Sequence, residues 1–78
     1  MKKWEVNING NSIVVENRIN GERLYINGEL QDECIGYTSR SRLWGKLKTG
    51  EIIKVSIGGG LFKMHCTIFV DNKQVLSE

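Results

Sequence analysis

The sequence predicts an all-β fold, a small antiparallel β-sandwich of seven to eight short strands joined by tight Asn-Gly and Gly-rich turns. Three observations point there. Proline is absent while glycine occurs nine times in 78 residues, so chain reversals fall to Gly and Asn at positive φ rather than to proline's fixed φ. The pairs Asn9-Gly10, Asn20-Gly21 and Asn27-Gly28 punctuate the first third, and Asn-Gly is the strongest short-range signature of a type I′ hairpin turn. Apolar residues then alternate with polar ones at period two, the mark of half-buried strands, and no segment carries a convincing helical period.

Taken in order, Trp4, Val6 and Ile8 share one face of a first strand against Lys3, Glu5 and Asn7. Ile13, Val14 and Val15 lie between the first two turns, and β-branched residues suit a pleated surface better than a helix. Leu24 and Ile26 alternate with Arg23 and Tyr25. The region from Leu30 to Leu47 is less regular, and its best strand segments are 34–38 and 43–47. Thr49-Gly50 turns the chain into a strand with Ile53, Val55 and Ile57 on one face. Gly58-Gly59-Gly60 follows, and then the clearest strand, in which Phe62, Met64, Cys66, Ile68 and Val70 alternate with Lys63, His65, Thr67, Phe69 and Asp71. Asp71-Asn72 turns into a short last strand with Val75 and Leu76. The unequal spacing of the Asn-Gly pairs argues for successive hairpins and against an internal repeat.

A chain this short supports one core, so residues 1–78 form a single domain. The charged fraction of 26% and hydrophobic fraction of 40% are ordinary for a globular domain. The first residues pass directly into alternation without a continuous apolar stretch, and no apolar run approaches the ~20 residues that cross a bilayer. The expectation is a cytoplasmic protein whose Cys34 and Cys66 are buried free thiols. Formal net charge is +2, too small to imply a polyanion partner by itself, but its distribution is uneven. Residues 1–35 carry Lys2, Lys3, Arg18 and Arg23 against Glu5, Glu16, Glu22, Glu29, Asp32 and Glu33, whereas 36–50 carry Arg40, Arg42, Lys46 and Lys48 and no acid.

Chemistry-bearing clusters are few. His65 and Cys66 are the one metal-like pair, but successive strand residues point to opposite faces and no Cys-x-x-Cys spacing supports a zinc site. The same single histidine would have to serve as base for Cys34 or a serine, and no motif brings them together. The glycine triplet leads into a strand rather than a helix, which argues for a hairpin or bulge and against a phosphate loop. The expectation is therefore no enzyme, no metal and no cofactor.

One segment stands apart, Tyr37 to Lys48, where basic residues interleave with aromatics as in single-strand grooves that attract the backbone and stack bases. As a strand it places Arg40, Arg42, Trp44, Lys46 and Lys48 on one face. These are the candidate binding residues, for an anion or a single-stranded nucleic acid. The plainer alternative is a solvated face whose lysine stems cover Trp44.

Together, Trp4, Val6 and Gly10, the run Tyr25-Ile26-Asn27-Gly28, Ser56-Ile57-Gly58 and the terminal Ile68-Phe69-Val70-Asp71-Asn72 with Lys73 resemble one repeat of the Fas apoptotic inhibitory molecule (FAIM) family. The resemblance implies an antiparallel β-sandwich without catalytic activity that works through protein contacts. Animal members carry two such repeats and are linked to suppression of cell death and protection against aggregation. With one repeat this chain looks more like a microbial relative, acting through an unknown protein partner or as a homo-oligomer. The resemblance carries over no catalytic residue.

Overall fold

The structure, a computed structural model, describes residues 1–36, 40–59 and 63–78. Eight strands run in chain order: β1 (Lys2–Ile8), β2 (Asn11–Arg18), β3 (Gly21–Ile26), β4 (Glu29–Ile35), β5 (Arg40–Lys46), β6 (Ile52–Gly59), β7 (Met64–Val70) and β8 (Lys73–Ser77). They form two four-stranded antiparallel meanders, β1-β2-β3-β4 and β5-β6-β7-β8, here called the N-terminal and C-terminal sheets. Alternation sends Trp4, Ile13, Val15, Leu24 and Ile26 inward from the first and Leu43, Ile53, Val55, Ile57, Cys66 and Ile68 inward from the second, with Leu47, into one core. Each fully buried aliphatic side chain contributes about 1.5–3 kcal/mol through the water it sheds. The predicted all-β sandwich is the fold observed.

The hairpin at Asn9-Gly10 has φ of 49° and 80°, and that at Asn27-Gly28 has 52° and 83°. Left-handed conformation at both central residues is the type I′ geometry, whose twist matches that of the strands. Asp71-Asn72 makes the same turn without glycine, at 48° and 65°. The second Asn-Gly pair behaves differently. Its turn residues are Ile19 and Asn20, and Gly21 is already the first residue of β3, paired with Arg18 and with Ile35. A Cβ at Gly21 would collide with the carbonyl oxygen of Cys34, so β4 can run alongside only if this residue has no side chain.

The middle of the chain departs most from expectation. Instead of a strand at 34–38, β4 occupies Glu29–Ile35 and stops before Gly36, at φ 112°; Tyr37 and Thr38 lie outside the described residues. As an edge strand, β4 is exposed at most positions and needs little apolar alternation to form. The strand expected at 43–47 begins earlier, at Arg40, and ends at Lys46, with Leu47 buried just beyond it. Phe62 and Gly60 also lie outside the described residues, and Gly58 and Gly59 close β6.

The three Asn-Gly pairs fall at successive turns of the N-terminal sheet, as expected, and a repeat not sought in the sequence relates the two sheets. Trp4, Val15 and Leu24 align across the N-terminal sheet as Leu43, Val55 and Ile68 do across the C-terminal one. Ile13–Ile26 matches Ile53–Val70 in the same way. Register slips between Leu24 and Tyr25 in one and between Ile68 and Phe69 in the other, at the same structural position. Each final hairpin also clasps the start of its sheet's second strand. Asn27 donates its amide N–H to Ser12 O (2.8 Å) while its Oδ1 accepts from Ser12 N (2.9 Å). Asp71 donates to Ile52 O (2.9 Å) and its Oδ1 accepts from Ile52 N (2.8 Å).

A cationic and aromatic outer face as candidate site

Equivalent backbone positions in the two sheets carry opposite chemistry on their solvent faces. Across the N-terminal sheet one register row reads Lys3, Glu16, Arg23, Glu33, with signs alternating strand by strand. Arg23 Nε meets Glu33 Oε2 at 3.3 Å, and Arg18 Nη2 meets Glu16 Oε1 at 2.7 Å. The corresponding row of the C-terminal sheet reads Arg42, Ser56, Thr67, Ser77, one guanidinium followed by three hydroxyls. The next row, Glu5, Val14, Tyr25, Leu30 in the first sheet, becomes Trp44, Lys54, Phe69, Gln74 in the second.

The strands of the C-terminal sheet contain no carboxylate, while those of the N-terminal sheet contain Glu5, Glu16, Glu22, Glu29, Asp32 and Glu33. Among the described residues, no ion pair joins Arg42, Lys46 or Lys54 to an acid. Arg42, Lys46 and Lys54 therefore add positive potential to this face.

Four of the expected site residues, Arg40, Arg42, Trp44 and Lys46, do share the exposed face of β5. Lys48 does not belong to that row, because β5 ends at Lys46 and Lys48 sits, exposed, in the turn before β6. That turn closes through Leu47 N to Glu51 O and Gly50 N to Leu47 O, both 2.9 Å. Trp44 is 51% exposed. Its ring is covered on one side by a lysine, as the plainer alternative foresaw, but by Lys54 from the neighbouring strand, whose Nζ lies 5.0 Å from the ring centroid and bonds Asn72 Oδ1 at 3.0 Å.

The residues that sequence reasoning missed are Lys54, Ser56, Thr67, His65 and Phe69. They come from β6 and β7 and meet β5 only through register: Trp44 pairs with Lys54, and Lys54 with Phe69. Two adjoining depressions result. One, of about 320 Å³, is lined by Arg42, Trp44, Lys54, Ser56 and Phe69; the other, of about 250 Å³, by Arg40, Arg42, Ser56, Gly58, His65 and Thr67. Their polar and aromatic lining is cationic, hydroxylic, indole, phenyl and imidazole, with Leu43, Val55, Ile57 and Gly58 beside it.

Two contacts fix the edge strand β5. Gly45 passes so close to the N-terminal sheet that a Cβ would stand 2.9 Å from Ile26 Cδ1 and 3.1 Å from Leu24 Cδ2. The backbone N–H of Trp44 donates to Asp32 Oδ2 at 2.9 Å, so an acid of β4 satisfies the edge and joins the two sheets. Inside, the Ser41 hydroxyl donates to Glu22, a carboxylate only 4% exposed.

His65 is exposed and Cys66 buried, on opposite faces of β7 as expected. Burial, aided by the charge of Glu78, pushes the Cys66 thiol up to about 12, which keeps it protonated and unreactive. Cys34, in β4, is only half buried, and neither cysteine is bonded to another. Among the described residues no three His, Cys, Asp or Glu side chains converge as metal ligands.

The fold and face together define a small, internally repeated β-sandwich with one cationic, aromatic surface. No family model, curated protein or solved structure matches the chain.

Proposed function

We propose that this chain is a non-enzymatic, cytoplasmic binding domain, and that the outer face of its C-terminal sheet takes an anionic ligand. The observation that carries the reading is the contrast at matched positions: the row that neutralises itself as Lys3, Glu16, Arg23 and Glu33 in one sheet is Arg42 followed by hydroxyls in the other. A solvated surface with no partner gains nothing from uncompensated cations, which repel one another and weaken the compact state. The test is calorimetric titration with inorganic polyphosphate at low and at physiological salt. Binding that weakens with salt, and falls at least ~10-fold in Arg42→Glu/Lys46→Glu with stability changed by less than about 0.5 kcal/mol, supports the reading. Absence of binding at low salt refutes it.

A second reading, contact with a protein, draws on the resemblance to a FAIM repeat and on one observation. Ile19 and Ile35, 88% and 79% exposed, stand at the same end of the N-terminal sheet, where Gly36 N bonds Asn20 O at 2.9 Å. Exposed aliphatic side chains so placed suit an apolar contact, including one with a second copy. Light scattering across concentrations checks self-association. Mass that rises with concentration in the native chain but not in Ile19→Ser/Ile35→Ser supports it, and a constant monomer mass rules it out.

A further inference from the structure

We infer that the anionic ligand is single-stranded nucleic acid, with phosphates seated on the Arg42, Ser56 and Thr67 row and bases stacked on Trp44 and Phe69. This rests on the reading of the C-terminal outer face as an anion site and adds the identity of the ligand. A simple anion site needs cations and donors. It has no use for two aromatic rings set among them, and a row containing Trp44, Lys54 and Phe69 lies directly beside the phosphate row.

The spacings suit the assignment. Adjacent same-face rows are separated by two residues along the strand, about 7 Å, and Trp44 and Phe69 by two strand spacings, about 10 Å. A base on either ring thus has a guanidinium, an ammonium or a hydroxyl one row away for its own phosphate. The two depressions are contiguous through Arg42 and Ser56, so backbone and base seats form one track across β5, β6 and β7. Duplex is disfavoured, because its base faces are stacked internally and are not available to Trp44 and Phe69. Single strands present every base's π-face, and stacking on it is tolerant of sequence.

Lys54 gives the face a defined resting state. Its ammonium covers the Trp44 ring at 5.0 Å and is held by Asn72. A base arriving on that side of the ring exchanges for the ammonium, which then swings to a phosphate; the cation–π contact is replaced by a stack and a charge pair. The other tryptophan, Trp4, is 2% exposed in the core. A ligand-dependent change in tryptophan emission therefore reports Trp44.

The test titrates the full chain with a labelled oligothymidylate, an abasic deoxyribose-phosphate strand of the same length, and polyglutamate, following anisotropy and tryptophan emission. Expected is binding of oligothymidylate at least ~10-fold tighter than of the abasic strand, with emission quenched by the former alone. Trp44→Ala or Phe69→Leu lowers oligothymidylate affinity about five- to hundredfold, towards the abasic value, and leaves the abasic affinity unchanged. The log–log salt slope is about −3 if four phosphates are neutralised. Equal affinity for the two strands without quenching overturns base stacking while the anion reading stands. Tighter binding of polyglutamate assigns the face to an acidic protein segment instead, and failure of all three at low salt overturns both.

Discussion

The two sheets of this domain share a backbone plan and differ in what they show to water. Both are four-stranded meanders with the same register, the same bulge in the last pair and the same Asx clasp from the final hairpin onto the second strand. Inward positions are interchangeable in kind, Ile13 with Ile53, Val15 with Val55 and Leu24 with Ile68. Outward positions are not, because an ionic ladder on one side corresponds to arginine, hydroxyls and aromatics on the other. Packing constrains the inner faces alike, so what differs outside is free to carry function. The difference marks the face proposed to bind an anion without reference to any catalytic group.

The largest effect expected tests whether the inner faces are equivalent. Ile13→Ala and Ile53→Ala each empty a site with no solvent exposure and should each cost about 3–4 kcal/mol. Denaturant midpoints measure both. Values within ~1 kcal/mol of each other support the repeat, and a cost confined to one sheet breaks it.

Next comes a position where the repeat departs from itself. Gly21 corresponds to His65, but Gly21 has no room for a Cβ beside the Cys34 carbonyl of β4, whereas His65 carries an exposed side chain on the outer face of β7. Gly21→Ala should therefore cost about 3 kcal/mol, by the clash with the Cys34 carbonyl, and His65→Ala less than ~0.5 kcal/mol. Thermal unfolding of the two variants distinguishes them; similar costs would mean that β4 does not constrain Gly21.

A smaller contrast concerns the outer faces. Lys3→Glu/Arg23→Glu reverses charge on the N-terminal ladder and should leave polyphosphate affinity unchanged, with at most ~1 kcal/mol lost from exposed ion pairs. A loss comparable to that of Arg42→Glu/Lys46→Glu would show that net charge, rather than the C-terminal face, governs binding.

The effect that is smallest at neutral pH lies in the thiols. Cys66 is raised from its ordinary value of 9.0 to about 12 by burial. Because the folded value lies above the unfolded one, its contribution is complete below about pH 9 and is lost as pH rises towards 12. Stability measured across that window should decline, and less so in Cys66→Ala. Native alkylation should modify Cys34 before Cys66.

Much of this was readable from residues alone because strands declare themselves by alternation. Trp4 to Ile8, Leu24 to Ile26 and Met64 to Val70 each pair one wet face with one dry face, and the Asn-Gly pairs mark where the chain reverses. β4 escaped because an exposed edge strand such as Glu29-Leu30-Gln31-Asp32-Glu33 has no dry face to show. The repeat escaped because its units share volume and polarity at inward positions rather than residue identity, and Asp71-Asn72 does the work of Asn27-Gly28. Of the candidate site, the β5 row was legible as a run of alternating cations. Lys54, Ser56, Thr67 and Phe69 join it through strand pairing, which the local sequence does not encode. Lys48 was included because the alternation continues past Lys46, although the strand ends there.

The most direct test of the central claim is a residue-resolved amide NMR titration of the native chain with oligothymidylate at low salt. The account predicts shifts concentrated at Arg42, Trp44, Lys54, Ser56, Thr67 and Phe69, with the matched positions Lys3, Glu5, Val14, Glu16, Arg23 and Tyr25 unmoved. Shifts centred on the N-terminal face, or spread evenly over both, would contradict it.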